Sequence, residues 1–408
     1  MENKAFDRSK RFDLLRLNKF YLFWCRFFVD LNALNAVVQL FYLQRGVTLS
    51  QIYFLGIAFS VGVLIFDIPS SYLADRWGRK NTIFLGVLIN ILANGYLFVA
   101  RGFWPFFIDT FILAASYSFF FGVEDAFLYD NSKEMKQEGI VIKTAGKYAA
   151  AGRISKILTP LFGAIIAKNL TSLQFDILLF INFVSSCFAA FFAFKLTEPK
   201  RFIAKFQTQL SIFKDGLSTF WNTEALRVFA LNKSSIFIAS FIFWRFYQDA
   251  LYTRGFSVLL LGLIYPVSNA ILVSVFVLAP KITEKINYSL IFNSVVYITL
   301  GASILFILTD FKLALYLSSI ILLSVATVRD PFFFQQIHYR IKSYNRATSS
   351  SILGIFKNLS DIPLLLLSGY IASFGGKWIM VIPITLSLIT IVFFRIKPKY
   401  IVLSYNED

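Results

Sequence analysis

Apolar residues in this chain run on rather than alternate. Stretches of membrane-spanning length lie near 20–43, 49–71, 82–100, 104–129, 144–167 and 173–195. After a polar interval six more follow, near 228–252, 256–280, 288–308, 313–337, 348–371 and 378–395. A bilayer core of about 30 Å takes about 20 apolar residues of helix to cross. Lipid offers the backbone no hydrogen-bond partner, so each run must be helical. The pattern predicts an all-α integral membrane protein of about twelve transmembrane helices.

The polar interval divides the chain into a six-helix half at 1–196, a linker at 197–227 and a second six-helix half at 228–408. Pro199 ends the sixth helix because it cannot continue the backbone ladder. Within the linker Phe206, Leu210, Phe213, Leu217 and Trp221 recur at i, i+4, i+7, i+11 and i+15. This is the stripe of an amphipathic helix. It suits either a helix lying on the membrane surface beside Lys205 and Lys214 or one packed on protein. The halves also echo each other. Tyr42-Leu43-Gln44-Arg45-Gly46 resembles Leu251-Tyr252-Thr253-Arg254-Gly255, and the same register pairs Gln39 with Gln248. Val123-Glu124-Asp125-Ala126-Phe127 resembles Val328-Arg329-Asp330-Pro331-Phe332. The two offsets are nearly equal, as pseudo-symmetric halves require.

Composition agrees: 57% of residues are hydrophobic and 15% charged, against about a quarter charged in a soluble domain. The net charge of +17 invites a nucleic-acid reading until the cations are placed. Twenty-six basic residues fall on the side holding both termini, and one falls in each loop of the other side (Arg45, Arg101, Lys168, Arg254, Lys312, Lys377). That is the positive-inside asymmetry. It predicts cytoplasmic termini in a cell (inner) membrane and no nucleic-acid partner. Cys25 and Cys187 both fall within spans, so no disulfide framework is indicated. The basic start precedes an apolar run too long for a signal-peptide core and reads as a retained first helix.

Between the second and third spans stands Ser71-Tyr72-Leu73-Ala74-Asp75-Arg76-Trp77-Gly78-Arg79-Lys80. This resembles the signature loop of the major facilitator superfamily, a Gly, three residues, then Asp-Arg-x-Gly-Arg-Lys, with Ser71 in place of the Gly. Gly78 permits a tight turn, Asp75 is placed to cap the next helix, and Arg79 is long enough to reach a carboxylate on a neighbour. Ala126 to Asp130, Leu196 to Arg201 and Asn345 to Thr348 look like bacterial efflux-type members. The resemblance implies two six-helix halves, helices 1, 4, 7 and 10 lining a central cavity, and a conformational latch of Asp75, Gly78 and Arg79 with an acid near the inner end of the fourth helix. Asp130 is the candidate. Gly146, Ser155, Thr159, Pro160, Gly163 and Ala164 fall at the spacing of the family's antiporter motif, although small residues also serve ordinary close packing.

Ionisable residues inside spans are costly and mark function or pairing. The first span holds Arg26 and Asp30, the fourth Glu124 and Asp125, and the fifth Arg153 and Lys156. The seventh holds Arg245 and Asp249, the tenth Arg329 and Asp330, and the eleventh Lys357 and Asp361. Arg26 with Asp30, Arg245 with Asp249 and Lys357 with Asp361 are spaced i, i+4 for mutual neutralisation. Arg153 and Lys156 share a face without an acid on their own helix, so they are candidates to hold an anionic group of a solute. Arg26, Arg329, Lys357, Gln39 and Gln248 complete the substrate-binding set. Asp30 is the leading proton carrier, because burial disfavours a carboxylate's charge while a neighbouring guanidinium restores it. Glu124, Asp125, Asp330 and Asp361 are further proton-coupling candidates. His338 reads as structural.

The chain shows no Walker loop, His-Glu-x-x-His, Gly-x-Ser-x-Gly or Cys/His metal cluster, so no cofactor is expected and an enzyme or receptor is the remote reading. The leading expectation is a monomeric secondary transporter that moves a small organic solute by alternating access, an antiporter exporting it against protons. The alternative is an importer or exchanger of an anionic or zwitterionic metabolite, which the number of intramembrane cations favours.

Overall fold

In a computed structural model the described residues are 2–121, 123–137, 141–200, 218, 221–325, 327–338 and 346–401. The amphipathic stripe at Phe206 to Leu217 falls outside them, as do the side chains of Lys357 and His338. The fold is all-α, with about twelve spans. Eight helices among the described residues are long and apolar enough to cross a membrane, and Lys312–Ser324 and Leu359–Ala372 are shorter apolar helices. Contacts divide the chain into two units, Met1–Val47 with Leu55–Ala204, and Thr48–Phe54 with Lys205–Asp408.

The first unit runs α1 (Glu2–Val29), a short 3-10 turn (Ala33–Ala36), α2 (Val38–Gln44), α3 (Leu49–Trp77), α4 (Arg79–Tyr96), α5 (Phe103–Phe121), α6 (Glu124–Glu134), α7 (Val141–Ile166) and α8 (Ser172–Lys195). The second runs α9 (Glu224–Trp244), α10 (Tyr247–Tyr252), α11 (Val258–Lys285), α12 (Tyr288–Leu308), α13 (Lys312–Ser324), α14 (Asp330–His338), α15 (Arg346–Ala372) and α16 (Val381–Phe393). The order of long and short helices is the same in both. So are the partners: α1 packs on α7 and α8 as α9 packs on α15 and α16, and α4 packs on α5 and α8 as α12 packs on α13 and α16.

Among the described residues, four spans are each built from two helices. The first and fourth spans break between Val29 and Val38 and between Phe121 and Glu124; the seventh and tenth break between Trp244 and Tyr247 and between Ser324 and Asp330. Hydropathy averaged over a whole span does not register these breaks, because apolar residues flank them on both sides. Charge does. Asp30, Glu124, Arg245 and Arg329 all stand at a break. A broken helix leaves amides and carbonyls without intrahelical partners at membrane depth, which is tolerated only where protein or a cavity satisfies them. In the first break Asn182 of α8 accepts from the Ala33 amide at 2.8 Å and donates to Asn32 Oδ1 at 3.0 Å.

Helix starts follow their local chemistry. Thr171 and Gln174 form a capping box on α8, and Ser257 and Asn287 cap α11 and α12 through their side chains. The repeated arginines take related posts. Arg45 donates to the carbonyls of Leu97, Phe98 and Ala100 beyond the end of α4, and Arg254 lies over Phe306 near the end of α12.

Candidate functional site

The signature loop forms one corner of the first unit. Gly78 sits at φ +115°, a conformation costly for any residue with a Cβ, and lets α4 start one residue after α3 ends. A second acid, absent from the sequence reading, serves the start of this helix. Asp75 is exposed, and Glu198 accepts from the amides of Arg79 at 2.9 Å and Lys80 at 2.7 Å. A carboxylate there meets both free donors and the positive end of the helix dipole. Arg79 reaches Asp130 at 2.6 Å and donates to the Ala126 carbonyl. Asp130 is therefore the fourth-span acid opposite Arg79. Around it Arg11 grips Glu134 at 2.7 Å, Lys200 N–H donates to the same carboxylate at 2.6 Å, and Asn18 bridges Asn131 and the Thr197 carbonyl at 2.8 Å each.

Deeper in the same unit the intramembrane charges close into a chain. Lys156 Nζ lies 3.0 Å from Asp30 Oδ1, and Arg26 Nε donates to Asp30 Oδ2 at 2.5 Å. Arg26 Nη1 continues to Glu124, which also accepts from the Tyr148 hydroxyl. The guanidinium lies over the Phe121 ring at 4.2 Å. Lys156 thus has an acid after all, supplied by the broken first span rather than by α7. Glu124 is committed to Arg26 and Tyr148. Arg153 is half-buried on the face of α7 it shares with Lys156, and Asp125 is exposed.

The small residues of α7 make this possible. A Cβ at Gly152 would overlap the Asp30 carboxylate, and one at Gly163 would overlap the Ala33 carbonyl. Ser155, Thr159 and Ala164 are buried, while Gly146 has open space beside it. The stretch with the antiporter spacing therefore lets α7 press against the break in the first span. Tyr148, Gly152 and Lys156 were missed as a group, although their spacing of i, i+4 and i+8 places them on one face.

A cavity of about 300 Å³ opens onto the chain, lined by Arg26, Asp30, Asn90, Ser116, Tyr117 and Lys156 together with apolar Val29, Phe59, Leu113 and Phe121. Lys156 is its most exposed charge, with 37% of the side chain accessible against 16% for Arg26 and 6% for Asp30. The room suits a small organic solute: apolar and aromatic walls with a few convergent polar groups.

The second unit uses its charges differently. Arg329 is buried and donates to Asn232 Oδ1 at 2.6 Å, the Phe292 carbonyl at 3.1 Å and the Asn232 carbonyl at 3.3 Å, with Phe333 against its face. Its Nη1 and Nη2 bonds go to the protein, while its Nε has no hydrogen-bond partner. Asp330 pairs with Lys233 at 2.9 Å. Arg245 lies over Phe241 at 3.9 Å. Gln39 and Gln248 are both fully buried at matching places in α2 and α10, Gln248 donating to Tyr247. Asp361 is buried on α15. Among the described residues no group of His, Cys, Asp and Glu is placed to hold a metal ion.

Broken spans with a charged, water-sized-to-solute-sized chamber at the breaks define a membrane transporter. The family model of the Major Facilitator Superfamily matches residues 22–362. The chain belongs to that superfamily. Among solved structures it is similar to a bacterial homolog of the human lysosomal transporter Spinster (14% identity, TM-score 0.74, covering 94% of this chain and 99% of that one). It is also similar to a mutant of the nucleoside transporter NupG (15%, 0.75, 93% and 98%) and to a D-xylose-proton symporter (14%, 0.69, 96% and 99%). At these identities the likeness shows the fold. A search of the curated proteins finds no match. The protein is a multi-pass membrane transporter of the small-molecule class and not an enzyme.

Proposed function

We propose that the protein is a proton-coupled secondary transporter of the cell membrane that exports a small organic solute by alternating access, working as a monomer with both termini in the cytoplasm. The observation that carries the reading is Asp30, a carboxylate at a helix break that lines the cavity while held by Arg26 and Lys156. Protonation of Asp30 frees both cations, and an anionic group of the solute arriving at Lys156 displaces the same carboxylate. Proton and solute are thereby linked through one side chain. Arg79, Asp130 and Glu198 serve as the latch that closes the cytoplasmic end, with Gly78 setting the turn. Glu124 and Asp125 are secondary proton sites; Asp330 and Asp361 stand in for them in the second half, and Arg153 supports Lys156.

The test is accumulation of cationic, neutral and anionic fluorescent dyes in an efflux-deficient bacterium, with and without a protonophore. Exclusion of a dye that the protonophore abolishes, and that Asp30→Asn loses, is the expected result. Full pH-dependent transport in Asp30→Asn would remove Asp30 from the coupling.

A second reading has its own observation. Lys156 offers the cavity a cation at its most accessible point, which fits import or exchange of an anionic or zwitterionic metabolite. Inhibition of dye or solute movement by small organic anions, lost in Lys156→Ala, selects that reading.

A further inference from the structure

One buried acid takes no part in the chain of charges. Asp109 lies on α5, is 3% exposed, and its Oδ1 has no hydrogen-bond partner. The charged and titratable groups on the neighbouring stretches of chain are Tyr42, Arg45, Tyr96 and Arg101, with Asp67, Tyr117, Glu124 and Asp125 further along towards the Asp30 cluster. Among the described residues none of them forms a hydrogen bond or ion pair with Asp109. Tyr42 stacks edge-on to Phe106, Arg45 is spent on three carbonyls and Asp176, and Glu124 on Arg26 and Tyr148. A bare carboxylate at such a place would forfeit its hydration with nothing in return. The neutral acid forfeits only a hydrogen bond.

Its position gives the burial a use. Asp109, Leu113, Ser116 and Tyr117 fall at i, i+4, i+7 and i+8, one face of α5, and the last three line the cavity that holds Asp30. Ser116 donates to the Gly86 carbonyl at 2.9 Å, and Gly86 packs on the backbone of Phe119 and Phe120. That antiparallel register puts Asp109 level with the last turn of α4. From Ser116 it is about 10 Å along the axis, towards the end that the loop charges read as external.

We propose that Asp109 is a second proton site on the external side of the Asp30 cluster, neutral while its end of α5 is closed and ionising into the cavity when water reaches it. On opening, its O–H bond breaks, the electron pair stays on the carboxylate, and the proton passes through solvent to the Asp30 carboxylate. The inference deepens the proton-coupled reading above and rests on it for its purpose.

The test uses the full chain in lipid nanodiscs and needs no solute. Hydrogen exchange of the α5 segment around Asp109 is followed at mildly acidic and mildly alkaline pH, for wild type, Asp109→Asn and Asp30→Asn. Relative to the intrinsic base-catalysed rate, exchange should rise with pH in wild type and in Asp30→Asn, and keep its low-pH ratio throughout in Asp109→Asn. Infrared spectra of wild type at neutral pH should show the carbonyl stretch of a buried protonated carboxyl, lost in Asp109→Asn. A ratio of observed to intrinsic exchange in Asp109→Asn that still follows pH, or a carboxyl band absent from wild type or kept by Asp109→Asn, would overturn the proposal. Loss of protonophore sensitivity in the dye assay counts instead against proton-driven export, so the two failures are told apart.

Discussion

Gly152 and Arg329 show why single residues in a membrane protein are easily misassigned. Gly152 is a small residue amid others on an apolar helix, and in the sequence nothing separates it from packing. Its role follows from Asp30, more than a hundred residues away, whose carboxylate fills the space of a Cβ. Gly152→Ala should therefore leave expression and folding near normal and cut transport on the order of a hundredfold, as a misplacement of about 1 Å does; initial rates in reconstituted vesicles check this. Arg329 reads in the sequence as a cavity cation. Its partner Asn232 stands 97 residues earlier, and no spacing rule reveals a partner across a half. Arg329→Ala should lower stability by about 2 kcal/mol or more, since it empties a buried site and strands the Asn232 amide. Thermal unfolding in detergent measures it. Lys156→Ala, at a partly open position, should unfold close to wild type.

At the scale of elements, about twelve spans were legible because lipid demands about 20 apolar residues each time, and Asp130 was legible because the resemblance to the superfamily implied an acid near the inner end of the fourth span. The breaks within four spans were not, since hydropathy averages over them; the charges that accompany them were, without their pairing. The part Glu198 plays at the start of α4 was not legible, for a simple reason. Asp75 is near in sequence, whereas Glu198 arrives from the far end of the unit, just after α8. Glu198→Gln keeps the shape but not the charge, and should cost about 1 kcal/mol. Faster exchange at the amides of Arg79 and Lys80, with the rest of α4 unchanged, is the expected outcome.

For the molecule as a whole, the match between units in helix order and packing partners makes the duplication read from Arg45 and Arg254 a property of the architecture. Orientation in the membrane rests on loop charge. With Cys25→Ser and Cys187→Ser as background, Lys168→Cys should react with an impermeant thiol reagent in intact cells and Lys200→Cys only in opened ones. The charge chain has an electrical consequence as well. Arg26 and Lys156 balance Asp30 and Glu124, so the cluster with both carboxylates ionised carries no net charge. Membrane voltage then does no work on the cluster as the empty carrier turns over. Adding one proton gives it a unit positive charge, on which the field exerts about 2.3 kcal/mol per 100 mV for full transit. A voltage jump should accordingly speed the proton-loaded half of the cycle alone, leaving the return step to thermal motion.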